Sequence, residues 1–238
     1  MGHEVVQVPG SFEPLLAAGF AYGADPAGGQ GSNCPEPPVI PSTRVRPRRR
    51  ARLLGATAAC SQRADLPPEP KVTSTSAAST PSAVARALPK ARPTGMRIET
   101  AGVDSRKMVD LELDATGELG VPDPDTDANS PGWWTGSVTP GETGIAVLVA
   151  HFDTRHGPAL MKDVEKVELG DTVVVPREDG STAEFRIREI QNVKKKDFPT
   201  DKVYGATDHA ELRLLTCGGG IEHGHRTDNI IFYADLAA

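Results

Sequence analysis

Leu212-Arg213-Leu214-Leu215-Thr216-Cys217-Gly218-Gly219-Gly220 is the stretch on which the reading of this chain turns. Leu212, Leu214 and Leu215 fall in a window from Glu211 to Thr216 that has the length of a strand, is too short for a helix, and is closed by glycines. Cys217 therefore stands at a strand's end. The glycines after it permit a sharp bend and a close approach of other backbone to the sulfur. An arbitrary free cysteine is more often a buried core residue; this one has the surroundings of a thiol that is presented.

A thiol with the ordinary pKa of about 8.5 is mostly protonated at neutral pH, so a reactive one needs a neighbouring base. His151 is the candidate. It closes the run Ile145-Ala146-Val147-Leu148-Val149-Ala150, which reads as a fully buried strand, and Asp153, Thr154 and Arg155 follow it. Two strand ends meeting at one edge of a sheet would pair Cys217 with His151 as nucleophile and base.

These residues resemble the sortases, cysteine transpeptidases of Gram-positive bacterial surfaces, whose signature strand reads Thr-Leu-x-Thr-Cys. Arg213-Leu214-Leu215-Thr216-Cys217 matches it at every fixed position but the first. The likeness runs from about Thr94 to the C-terminus. It takes in Gly95-Met96-Arg97-Ile98 with Gly102-Val103-Asp104, and Gly132-Trp133-Trp134 with Pro140-Gly141-Glu142. Phe198-Pro199-Thr200-Asp201 and Asp228-Asn229 continue it. His151-Phe152-Asp153-Thr154-Arg155 with Gly157-Pro158-Ala159 is most similar to the class E and F branches of actinobacteria.

The resemblance implies an eight-stranded closed β-barrel with short helices. It makes Cys217 the nucleophile, His151 the proton shuttle and Arg226 the holder of the oxyanion, with Thr216, Gly218 and Ala150 next to the substrate. The substrate implied is a surface protein bearing a sorting signal of the Leu-Pro-x-Thr-Gly type, cut between Thr and Gly. The acyl group would pass to an amine of a peptidoglycan precursor or of another protein. No cofactor and no metal is implied. In many relatives the arginine directly precedes Asp-Asn, whereas Thr227 intervenes here, and in a strand one residue turns a side chain to the other face. A hydrolytic cysteine peptidase and a non-catalytic peptide-binding barrel remain alternative readings.

The rest of the chain agrees with an all-β domain from 94 to 238. Short apolar or alternating runs at Met96–Thr100, Met108–Leu113, Ile145–Phe152, Thr172–Val175, Ala183–Val193, Leu212–Thr216 and Ile230–Ala234 are divided by turn residues such as Glu178-Asp179-Gly180. Only Pro158 to Val167 reads as a short helix. Trp133 and Trp134 read as a plug for one barrel end in preference to a groove lining. His209, His223 and His225 lack the spacing of a known metal site.

Residues 1–93 read as disordered: 14 of the 21 prolines lie there. That segment holds 11 basic and 6 acidic residues; the remainder holds 15 and 26, an acidic domain of net charge −11, which argues against a nucleic-acid partner. Arg44 to Arg52 precede Leu53-Leu54-Gly55-Ala56-Thr57-Ala58-Ala59, the order of an export signal but with an apolar part too short to span a bilayer. An extracytoplasmic, cell-surface location is expected from the family likeness. Of the cysteines, Cys34 and Cys60 fall in this segment and only Cys217 in the domain, so no disulfide framework is implied.

Overall fold

A computed structural model describes residues 68–77 and 85–238. The basic cluster Arg44–Arg52, the apolar stretch after it, Cys34 and Cys60 lie outside the described residues. Within them the regular elements are nearly all strands: β1 (Thr75–Ser76), β2 (Met96–Ile98), β3 (Val103–Ser105), β4 (Val109–Leu111), β5 (Gly132–Trp134), β6 (Gly144–Val149), β7 (Asp153–Thr154), β8 (Gly157–Pro158), β9 (Thr172–Pro176), β10 (Thr182–Lys194), β11 (Ala210–Glu222) and β12 (His225–Leu236). One helix, α1 (Thr200–Tyr204), and two 3₁₀ turns complete the elements.

The burial pattern explains the arrangement. Along the first half of β10, buried Ala183, Phe185 and Ile187 alternate with exposed Thr182, Glu184 and Arg186, the period of a strand with one face on a core. β6, β11 and β12 are instead buried on both faces through most of their length, as central strands are. The main sheet has ten strands in the order β3-β2-β9-β10-β12-β11-β6-β5-β4, with β1 added on β10.

The all-β fold expected from the sequence is therefore the one observed, and the strand count rises from eight to ten through very short segments. The hydrogen-bonded path ends at β3 and β4, so the sheet is curled and is not closed by strand pairing across that seam as the expected barrel would be. Only residues 106–108 separate Ser105 from Val109, which holds the two ends within about 14 Å.

Two local expectations change. Pro158 to Val167 is not a helix: Gly157–Pro158 pairs with Asp153–Thr154, and only Val164–Lys166 makes a 3₁₀ turn. A single turn gives too few hydrogen bonds to offset nucleation, and it persists because Val164 and Val167 are both buried. The true helix, α1, lies later and packs outside the sheet. Its Val203 is buried, and Tyr204 meets Trp134 edge to face with ring centroids 5.7 Å apart. Trp133 is buried, its indole N–H donating to the Val138 carbonyl at 3.2 Å. Upstream of Thr94, Leu88 N–H donates to the Gly141 carbonyl, Arg177 donates to the Pro89 carbonyl, and β1 pairs with Ile190 and Glu189 of β10.

Candidate active site

β11 and β6 run parallel and adjacent, with Leu215 level with Val149. The Ala150 N–H continues that ladder, donating to the Leu215 carbonyl at 3.0 Å. Two residues beyond the Leu215–Val149 pair come Cys217 and His151. Equal spacing from that pair gives both the same count along their chains at the end of the sheet. Sequence reasoning brought these strand ends together without a register, and the parallel ladder provides one.

Both candidates are buried. The His151 Nε2 lies 2.7 Å from the Pro122 carbonyl, which can only accept, so Nε2 carries the proton and Nδ1 the lone pair. Burial lowers the imidazole pKa, with the Pro122 hydrogen bond and the charge of Asp153 acting in opposition. Burial pushes the Cys217 thiol up to about 12, against the positive charges of Lys195 and Arg226. Both shifts favour the neutral form, of the thiol and of the imidazole. Lys195, which follows β10, is itself lowered by burial, with Cys217 and Asp228 acting the other way.

Arg226 bridges the chain beyond His151 and the chain beyond Cys217. Its Nη2 and Nε donate to Asp153 Oδ2 at 2.6 and 3.2 Å, and its Nη1 donates to the Gly219 carbonyl at 2.8 Å. The guanidinium lies 5.0 Å from the centre of the Phe152 ring. Asp153 and Gly219 each stand two residues past a candidate, so one side chain ties both strand exits. The extra residue that sets Arg226 back behind Thr227 is matched in β11 by an irregularity: Gly218 pairs with Asp228, but Ile221 pairs with Arg226. Gly219 occupies that irregularity with φ +72°, a conformation natural to glycine.

The other expected residues, Thr216, Ala150 and Gly218, lie in the same strand ends. Thr216 and Ala150 are fully buried. Gly218 is paired with Asp228, and a side chain there would collide with Ile230. Sequence reasoning gave no role to Asp153, Lys195, Pro122 or Asn229. Asp153 and Asn229 were visible as parts of His151-Phe152-Asp153 and Asp228-Asn229. Pro122 and Lys195 carried no sign.

The all-β fold agrees with what comparison returns. The profile of the sortase domain family matches residues 106–237, more than half of the chain, and the chain belongs to the sortase family. Sortases are cysteine transpeptidases. Among solved structures, it is similar to a sortase D5 transpeptidase of Clostridium perfringens at 20% identity, covering 60% of this chain and 77% of that one with a TM-score of 0.44. It is similar to sortase C of Streptococcus pneumoniae at 16% identity, covering 60% and 64% with a TM-score of 0.44. Sortase A of Corynebacterium diphtheriae matches at 19% identity, covering 62% of each chain with a TM-score of 0.45. The chain thus spans less than two thirds of the last two. None of the curated proteins matches it.

Proposed function

We propose that this sortase is of the class E/F kind, cleaves a Leu-Pro-x-Thr-Gly-like signal of surface proteins between Thr and Gly, and passes the acyl group to a cell-wall or protein amine. The observation that supports the reading is the parallel pairing of the two strands that lead to Cys217 and His151, with Leu215 level with Val149 two residues before each. The Cys217 sulfur attacks the threonine carbonyl while its proton moves to His151 Nδ1. The C–N bond breaks, the imidazolium protonates the departing glycine amine, and a thioester remains. The incoming amine gives its proton to His151, attacks the thioester carbonyl and restores the thiol. The Arg226 guanidinium lowers the cost of the oxyanion formed in both steps.

The family's work on sorting signals supports a cell-surface setting. Among the described residues no helix is long and apolar enough to cross a membrane. The test is incubation of the full chain with Leu-Pro-x-Thr-Gly and Leu-Ala-x-Thr-Gly peptides, with and without triglycine, followed by chromatography of the products. A triglycine-extended product is expected. The free threonine acid as sole product whether or not triglycine is added would replace this reading with a hydrolytic peptidase.

A further inference from the structure

Asn229 sits directly across the β11–β12 ladder from Cys217. Residues so paired share a face of the sheet, with Cβ atoms about 4.5–5.5 Å apart, which brings a carboxamide within reach of the sulfur. Asn229 is 0% exposed, and neither its Nδ2 nor its Oδ1 has a hydrogen-bond partner among the described residues. A buried amide without partners is destabilising, and an apolar side chain of the same size would not be. On its other side Asn229 pairs with Val193 of β10, which offers it no polar side-chain atom.

The groups that face Cys217 from the surrounding elements divide by role. His151 follows β6 and can take the thiol proton. Arg226 of β12 is held by Asp153 beyond His151, and Lys195 after β10 adds a further positive charge. Asp228 is paired with Lys194. All of these are charged or titrate, and Asn229 is a neutral donor opposite the sulfur itself.

We propose that Asn229 is a further residue of the proposed reaction, donating its Nδ2–H to the Cys217 sulfur as the thiolate forms. The proton leaves the sulfur for His151, the sulfur keeps the electron pair, and the amide hydrogen bonds to it without being transferred. A hydrogen bond to an anion is stronger than one to a neutral thiol, so the amide favours the ionised form over the resting one. Its lack of partners in the resting state is the counterpart of that role.

The inference rests on Cys217 being the nucleophile, and its test is independent of any peptide. Full-length protein and the Asn229→Leu variant are treated with iodoacetamide across pH 6–10, and modification of Cys217 is followed by peptide mapping. The variant is expected to melt at or above the wild-type temperature. Its alkylation rate should fall about tenfold at each pH across this range. Asn229→Ser, which keeps a donor, should fall between the two and serves equally if the leucine variant does not fold. With a cleaved peptide, kcat falls and KM is unchanged. An alkylation profile identical to wild type in either variant overturns the proposal and leaves Asn229 a structural residue. Failure of every sorting peptide with an intact difference in alkylation would remove the substrate reading and leave this one standing.

Discussion

Removing the carboxylate of Asp153 isolates the charge that joins the two strand exits. The Arg226 and Asp153 side chains are 2% and 1% exposed, and their Nη2–Oδ2 contact is 2.6 Å. Neither can turn to water when its partner is lost. Breaking a buried pair from one side costs about 3–5 kcal/mol, against about 0–1 for an exposed one. For a domain of this size each kcal/mol is worth about 2–4 °C, so Asp153→Ala should lower Tm by about 6–20 °C. Arg226→Met should do the same. The double variant Asp153→Leu/Arg226→Met carries no orphaned charge and should recover most of the loss. Thermal and urea unfolding of wild type, Asp153→Leu, Arg226→Met and the double variant give the coupling energy, expected to exceed about 2 kcal/mol. The recovered double variant should still be nearly inactive, which separates the charge's part in the reaction from its part in folding. Single losses below 1 kcal/mol that add in the double variant would refute the reasoning.

Stability should respond to pH at both ends. The Cys217 pKa is raised in the folded state from 9.0 to about 12, so its contribution is whole below about 9 and is lost as pH rises from there. The His151 pKa is lowered from 6.5, so its contribution is present above that value and is lost as pH falls through the folded one. Urea midpoints from pH 5 to 10 should show both losses; Cys217→Ala should flatten the alkaline side and His151→Gln the acid side. Gly219→Ala would put a Cβ 2.4 Å from Thr227 Oγ1 and 2.5 Å from Asp228 Cγ at φ +72°. A loss of about 1–3 kcal/mol is expected in unfolding experiments, and full stability would contradict the close approach at this turn. His151→Ala should retain the fold and lose about 10²–10⁴-fold in peptide cleavage, the scale of a general base.

What could be read from residues alone followed from what is local. Leu212 to Thr216 and Ile145 to Ala150 announced buried strands because apolar runs of that length have few other solutions, and the glycines fixed where the first one ends. The parallel pairing of those strands was not local: it depends on a crossover of about sixty residues between them. Arg226 illustrates the same limit. Counting from Asp228-Asn229 set it one position out of phase, and only the irregularity between Gly218 and Ile221 and the grip of Asp153 explain its place. The presumed helix at Pro158–Val167 failed because Val164 and Val167, three apart, fit one 3₁₀ turn as well as a helix. Thr216 was expected beside the substrate from its position in the signature, and its side chain is fully buried.

The central claim, that Cys217 forms a thioester with a sorting peptide through His151, is tested most directly by intact-mass spectrometry of the full-length protein during turnover. The account predicts an adduct with the mass of the peptide up to its threonine, located on Cys217, released by hydroxylamine, absent from Cys217→Ala and scarce in His151→Ala. Cleavage that survives in Cys217→Ala, or no adduct on a folded protein whose Cys217 reacts with iodoacetamide, would contradict it.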